Sequence, residues 1–173
     1  HNNLMGSISS EIGNLENLKV LNLAFNSLTG ELPSEIENLS NLKVLKLEMN
    51  RFNGELPDGI GSLLQLEELS AFNNFFTGEI PATVGNLTGL KVLNLSSNEF
   101  YGDIPSSLGA LSQLETLGLF ENRLEGAIPR DMGKLSKLKE LVLANNRLIG
   151  DIPNEFSQLA SLEVFQIQNN NFS

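Results

Sequence analysis

Apolar and polar positions alternate over short stretches of the chain. In Leu18-Lys19-Val20-Leu21-Asn22-Leu23-Ala24, leucines two apart project to one side of an extended strand. Leu21 and Leu23 are expected to face inward, and Val20, Asn22 and Ala24 outward. The alternation stops at Asn26, and Leu15, Leu18, Leu28, Leu32 and Ile36 complete the inward set around it. Each such stretch predicts a short strand, a turn and a bent return path.

The pattern has a strict period. Asn2, Asn26, Asn50, Asn74, Asn98, Asn122, Asn146 and Asn170 are 24 residues apart, and a glycine follows each of the first seven by four residues, from Gly6 to Gly150. All six prolines stand three residues after one of these glycines, as in "SLTGELPSEI", "RFNGELPDGI" and "FFTGEIPATV". A fixed period of this length means a solenoid, propeller or array. Burying about seven apolar side chains per period yields roughly 10–20 kcal/mol. Ordering the backbone costs at least as much, so no single turn is stable alone. Stacked turns share a core and pair their strands into a parallel sheet. An asparagine amide inside each turn is suited to satisfy backbone groups that no strand reaches. The glycine permits positive φ after that turn, and the proline fixes φ where the chain bends back.

This combination resembles the leucine-rich repeat. The inserted Thr/Asn-Gly-Glu-Leu/Ile-Pro segment is similar to the plant-specific subclass found in extracellular parts of plant receptor kinases and receptor-like proteins. The resemblance implies an α/β solenoid: a right-handed curved coil of about seven 24-residue repeats, with a parallel β-sheet on the concave face and irregular or 3-10 segments on the convex face. Residues 1–173 are expected to be a single solenoid segment, uncapped at both ends and cut from a longer array. The family's extracellular arrays usually carry paired cysteines in their caps, and the sequence has no cysteine. The implied function is recognition of a peptide or protein ligand, or of a co-receptor, on the concave face, at the extracellular face of the plasma membrane or cell wall. Alternatives are a secreted inhibitor resembling polygalacturonase inhibitors, or a free-standing interaction scaffold.

Composition narrows the chemistry. The net charge of −10 argues against nucleic-acid binding, which needs a basic footprint. No apolar run approaches a membrane span, so no direct membrane contact is expected of this segment. With no cysteine, a single histidine at His1, and no GxSxG, HExxH or GxxxxGK motif, the common catalytic constellations are missing, and no cofactor or metal is expected. Any kinase would lie outside this segment. Glu115, Glu121 and Glu140 share a strand face, and paired carboxylates run glycoside hydrolysis, but solvated charges on a sheet are the reading favoured for them. Glu31, Glu55, Glu79, Asp103 and Asp151 form an acidic column broken by Ala127. Solvated acids or a cationic partner would explain it, and calcium binds oxygen ligands of this kind.

The outward strand positions vary while the scaffold stays fixed, so ligand contacts are sought there. The candidates are Phe25, Lys46, Glu48, Met49, Ser70, Phe72, Ser96, Phe120, Glu121 and Val142. Phe72 and Phe120 occupy one column two repeats apart with Ser96 between them, giving two aromatic walls and a small polar floor. Phe25 and Met49 give a second apolar patch, although scattered surface hydrophobes are normal. Ala71 replaces an inward leucine, and Phe72 or Phe75 would either repair that packing or meet a partner. Four N-x-Ser/Thr sequons mark glycosylation candidates at Asn38, Asn86, Asn94 and Asn171. A glycan at Asn94 would obstruct the concave face.

Overall fold

The computed structural model describes residues 2–173, and His1 lies outside them. Each period forms one turn of a coil: a short inner strand, a tight corner, a flanking strand and a 3-10 helix. Among the described residues, Val20–Asn22, Val44–Lys46, Glu68–Ser70, Val92–Asn94, Thr116–Gly118, Glu140–Val142 and Val164–Gln166 make one seven-stranded parallel sheet in chain order. The register is one whole period, so Leu45 lies opposite Leu21 on one side and Leu69 on the other. Equivalent positions therefore form columns across the sheet.

A second layer of pairing, which the periodicity did not reveal, runs beside the first. Met5–Gly6, Ser27–Gly30, Arg51–Glu55 and Phe75–Thr77 form a four-stranded parallel sheet, and shorter strands continue the flank in pairs. Here the register slips: Gly54 faces Phe76, not Gly78. The return path is made of five-residue 3-10 helices such as Ser34–Asn38 and Ala82–Asn86, and no α-helix occurs among the described residues. Proline caps most of them, as at Pro33 with φ −64°; in the first, Ser9 stands at the cap and its hydroxyl accepts from the Glu11 N–H at 3.2 Å. These helical turns stack closely. A side chain at Gly85 would put its Cβ 2.5 Å from the Ser107 carbonyl oxygen.

The core is a set of columns. Leu39, Leu63, Leu87, Leu111 and Leu135 are fully buried, as are Leu45, Leu69, Leu93, Leu117 and Leu141. Leu15 departs from its expected inward place and is 50% exposed, because no preceding helical turn covers it among the described residues. One column switches to aromatic residues: Phe52, Phe76 and Phe100 are buried and stacked, with centroids 6.0 and 6.3 Å apart. Such contacts add about 0.5–1.5 kcal/mol per pair beyond burial.

The asparagine column binds the turns together. The Asn98 Oδ1 accepts from the Phe76 N–H at 3.0 Å, and its Nδ2 donates to the carbonyls of Ala71 at 3.0 Å, Leu95 at 3.1 Å and Ser96 at 3.1 Å. Two of these partners lie in its own turn and two in the turn before. Asn50, Asn74, Asn122, Asn146 and Asn170 repeat the arrangement. Asn26 makes the same bond back to the Leu4 N–H.

Just before each asparagine the backbone turns left-handed. Phe25, Met49, Asn73, Ser97, Glu121, Asn145 and Asn169 all have φ between 52° and 57°. Asparagine tolerates this region; phenylalanine, methionine and glutamate do so at a cost. The glycine four residues after the asparagine is also at positive φ, 74° at Gly54, where a Cβ would lie 2.5 Å from the Glu31 Cγ.

Two stability predictions follow from these corners. Asn98→Ala should destabilise the chain by about 1–3 kcal/mol in urea unfolding, and no loss would remove the bridging role. Met49→Asn should stabilise it by roughly 1 kcal/mol, read as a raised thermal midpoint, since asparagine accepts the left-handed corner more readily.

Candidate functional site

The inner sheet carries the candidate site on its outward face. The Asn73 N–H donates to the Ser96 carbonyl at 3.0 Å and the Ser97 N–H to the Phe120 carbonyl at 2.7 Å. These bonds hold Phe72, Ser96 and Phe120 in one lateral column. With strands about 4.8 Å apart, the backbone positions of Phe72 and Phe120 are about 10 Å apart. All three side chains are half-buried. The floor beside them is small and polar: Ser70 is buried, and Asn94 and Gly118 pair alongside it. A Cβ at Gly118 would lie 2.7 Å from the Asn94 Oδ1 and 2.9 Å from the Ser96 Oγ, so those polar ends occupy the space that glycine leaves. Val142 adjoins Gly118 on the next strand.

Charges surround this floor in an ordered way. Lys46 Nζ lies 2.8 Å from Glu68 Oε1. That bond, opposed by desolvation and reinforced by the charges of Glu68 and Glu48, raises the Lys46 pKa above its ordinary 10.5. Glu48, expected among the outward residues, is instead buried at 8% exposure, and its Oε2 has no hydrogen-bond partner. Along the rim, Glu67 bridges Lys91 at 2.7 Å and Lys43 at 3.1 Å, and Lys139 pairs with Glu115 at 2.7 Å. Hydrogen bonds from Lys91 and Lys43 hold the Glu67 carboxyl below its ordinary 4.5, and Lys139 does the same for Glu115. Two of the three acids considered for hydrolysis, Glu115 and Glu121, have partners of their own. Glu115 is bound to Lys139, and Glu121 accepts from the Ser97 hydroxyl at 2.8 Å.

The remaining candidates lie apart from this column. Phe25 and Met49 sit at neighbouring left-handed corners, 42% and 37% exposed. Phe75 is exposed on the flanking sheet and does not fill the space at Ala71, which is fully buried; Phe72 stays half-buried. Asn38 and Asn86 are exposed at the ends of 3-10 helices, and Asn171 is exposed on the flank. Asn94 is half-buried in the inner sheet, its Oδ1 accepting from the Ser96 N–H at 3.1 Å. The acidic column borders an open groove of about 720 Å³ with Glu55, Glu79, Asp103 and Tyr101 on its walls. Among the described residues no three His, Cys, Asp or Glu side chains are placed to hold a metal, and no helix is long and apolar enough to cross a membrane.

Comparison with known proteins supplies context for this geometry. A family model described as a leucine-rich repeat region matches residues 2–99, and a single-repeat model matches residues 89–111 and 137–159. The Arabidopsis receptor kinase HAESA, solved in complex with the peptide hormone IDA and the co-receptor SERK1, is 39% identical with a TM-score of 0.97, covering 100% of this chain and 29% of that one. A TDR receptor structure is 36% identical with a TM-score of 0.97, covering 99% of this chain and 30% of that one. The Leptospira interrogans LRR protein LIC12759 is 38% identical with a TM-score of 0.83, covering 96% of this chain and 41% of that one. The chain thus spans about three-tenths of the length of each of these two solved receptor chains. A search of curated proteins finds no match.

The rim carboxylates set an acid dependence. Their lowered pKa values mean that Glu67 and Glu115 stabilise the fold above about 4.5, and that this contribution is lost as pH falls below it. The thermal midpoint should drop through that range, with a smaller drop in Glu67→Gln or at high salt. An unchanged acid profile in Glu67→Gln would show that the rim pairs contribute nothing.

Proposed function

Because the chain belongs to the leucine-rich-repeat family, we propose that it is a recognition stretch within a longer array, in the extracellular part of a plant cell-surface receptor kinase. It binds a peptide or protein ligand, or a co-receptor, on the face of the inner sheet. The kinase would lie elsewhere in the parent protein. The observation that carries this reading is the contrast between invariant scaffold and varied face. The asparagine bridges, buried leucines and capping prolines recur turn after turn, whereas the column Ala24, Glu48, Phe72, Ser96, Phe120, Ala144 and Gln168 changes chemistry at almost every step. The match to HAESA, whose structure holds a peptide hormone and a co-receptor, supports the same direction.

A rigid sheet suits this task because its side chains are already placed, so little ordering cost is left for binding. Aromatic side chains in half-buried positions are the usual anchors of such contacts. The segment makes no chemical change in this reading; it converts binding into proximity between receptor chains. The exposed Asn38 and Asn86 stand off the inner sheet, where glycans would leave the ligand face open.

Peptides selected from a random-sequence display library against the intact chain provide the probe. They should lose binding to the double variant Phe72→Ala plus Phe120→Ala, while its thermal midpoint stays close to that of the parent. Retained binding would place the contact elsewhere on the molecule.

A further inference from the structure

Resting on the reading of the inner sheet as the ligand face, we propose that Glu48 and Phe72 form a subsite for one arginine side chain of the ligand. The starting observation is the Glu48 carboxylate. The residue is nine-tenths buried, and its Oε2 is the buried side-chain polar atom without a hydrogen-bond partner among the described residues. A buried charge is costly unless paired and hydrogen-bonded. The neighbouring acids of this face have donors: Glu67 has two lysines, Glu68 has Lys46, Glu115 has Lys139 and Glu121 has the Ser97 hydroxyl.

The local charge balance indicates what is missing. Lys46 stands between two carboxylates, bonded to Glu68 at 2.8 Å and acted on by the charge of Glu48. One ammonium serves two acids, so the cluster is short of one positive charge. An acidic ligand group would worsen that balance, and a cation restores it.

Phe72 selects the kind of cation. It follows Glu48 in the same lateral column, one strand spacing away, since the Met49 N–H donates to the Phe72 carbonyl at 3.0 Å. A planar guanidinium can stack on a ring while its edge donates to a carboxylate. A lysine ammonium is compact and strongly hydrated and gains less from the ring. Lys46 and Phe72, both half-buried, are the side chains that must shift for a guanidinium to reach Glu48.

The test titrates the intact chain with N-acetylarginine amide and with its uncharged isostere, N-acetylcitrulline amide, following the Glu48 carboxyl and Phe72 ring signals by NMR. The arginine probe should shift both signals saturably and bind about tenfold more tightly than citrulline. Glu48→Gln should abolish that preference while its thermal midpoint equals or exceeds the parent's, because an unpaired buried charge has been removed. Absence of a shift at Glu48, equal binding of the two probes, or a lowered midpoint in Glu48→Gln would each overturn the subsite. Library peptides that depend on Phe72 and Phe120 but show no arginine preference would sink this subsite and leave the concave-face reading standing. Peptides indifferent to both aromatics would remove that reading itself.

Discussion

One side-chain amide per turn is the constraint on which the rest of the coil depends. A parallel strand of three residues ends abruptly, and the corner that follows contains groups, such as the Ala71 carbonyl and the Phe76 N–H, that are bonded by an asparagine amide. The asparagine supplies an acceptor and two donors at that corner, and part of this bonding reaches into the turn before. Buried leucines alone would bring turns together without fixing their angle, because apolar contact is non-directional. The amide bonds set the geometry, and the leucine columns supply the bulk of the driving force within it.

The face used for binding inherits its order from this scaffold. Lateral columns exist because the register is one whole period, so a residue change in one turn acquires fixed neighbours 24 residues away on each side. Small residues at Ser70 and Gly118 leave a shallow floor between aromatic positions, and the lysine–glutamate pairs lie along the rim. Charge is therefore arranged around the aromatic column, and the buried Glu48 is the exception within it.

Much of the architecture was legible from sequence because it is written in residue types with a single physical role. Asparagine, glycine and proline at fixed offsets announced the corner, the positive φ and the bend, and the alternating leucines announced the strand. What escaped was set by neighbours in space. The flanking sheet has a slipped register that no sequence period shows, although the alternation of Leu28 with Gly30 was a faint signal. The left-handed corner was hidden because Phe25, Met49, Ser97 and Glu121 stand where asparagine would have revealed it. The aromatic stack of Phe52, Phe76 and Phe100 was available in the 24-residue spacing, yet its continuity depends on burial. Glu48 could not have been read as buried, since alternation places it outward and only the lateral packing of its column encloses it.

The asparagine bonds also give the coil a direction. The Asn50 side chain holds the Leu23 carbonyl and the Leu28 N–H of the turn before it and two carbonyls of its own turn, and only its backbone N–H reaches the turn after it. A turn is therefore latched by its successor. A turn lost from the C-terminal side leaves the backbone N–H and carbonyl that its asparagine had bonded without that partner, whereas a turn lost from the N-terminal side leaves an asparagine amide still bonded to the carbonyls of its own turn. The two sides of an interface thus present different groups to water once parted: bare backbone N–H and C=O on one, a half-bonded side-chain amide on the other.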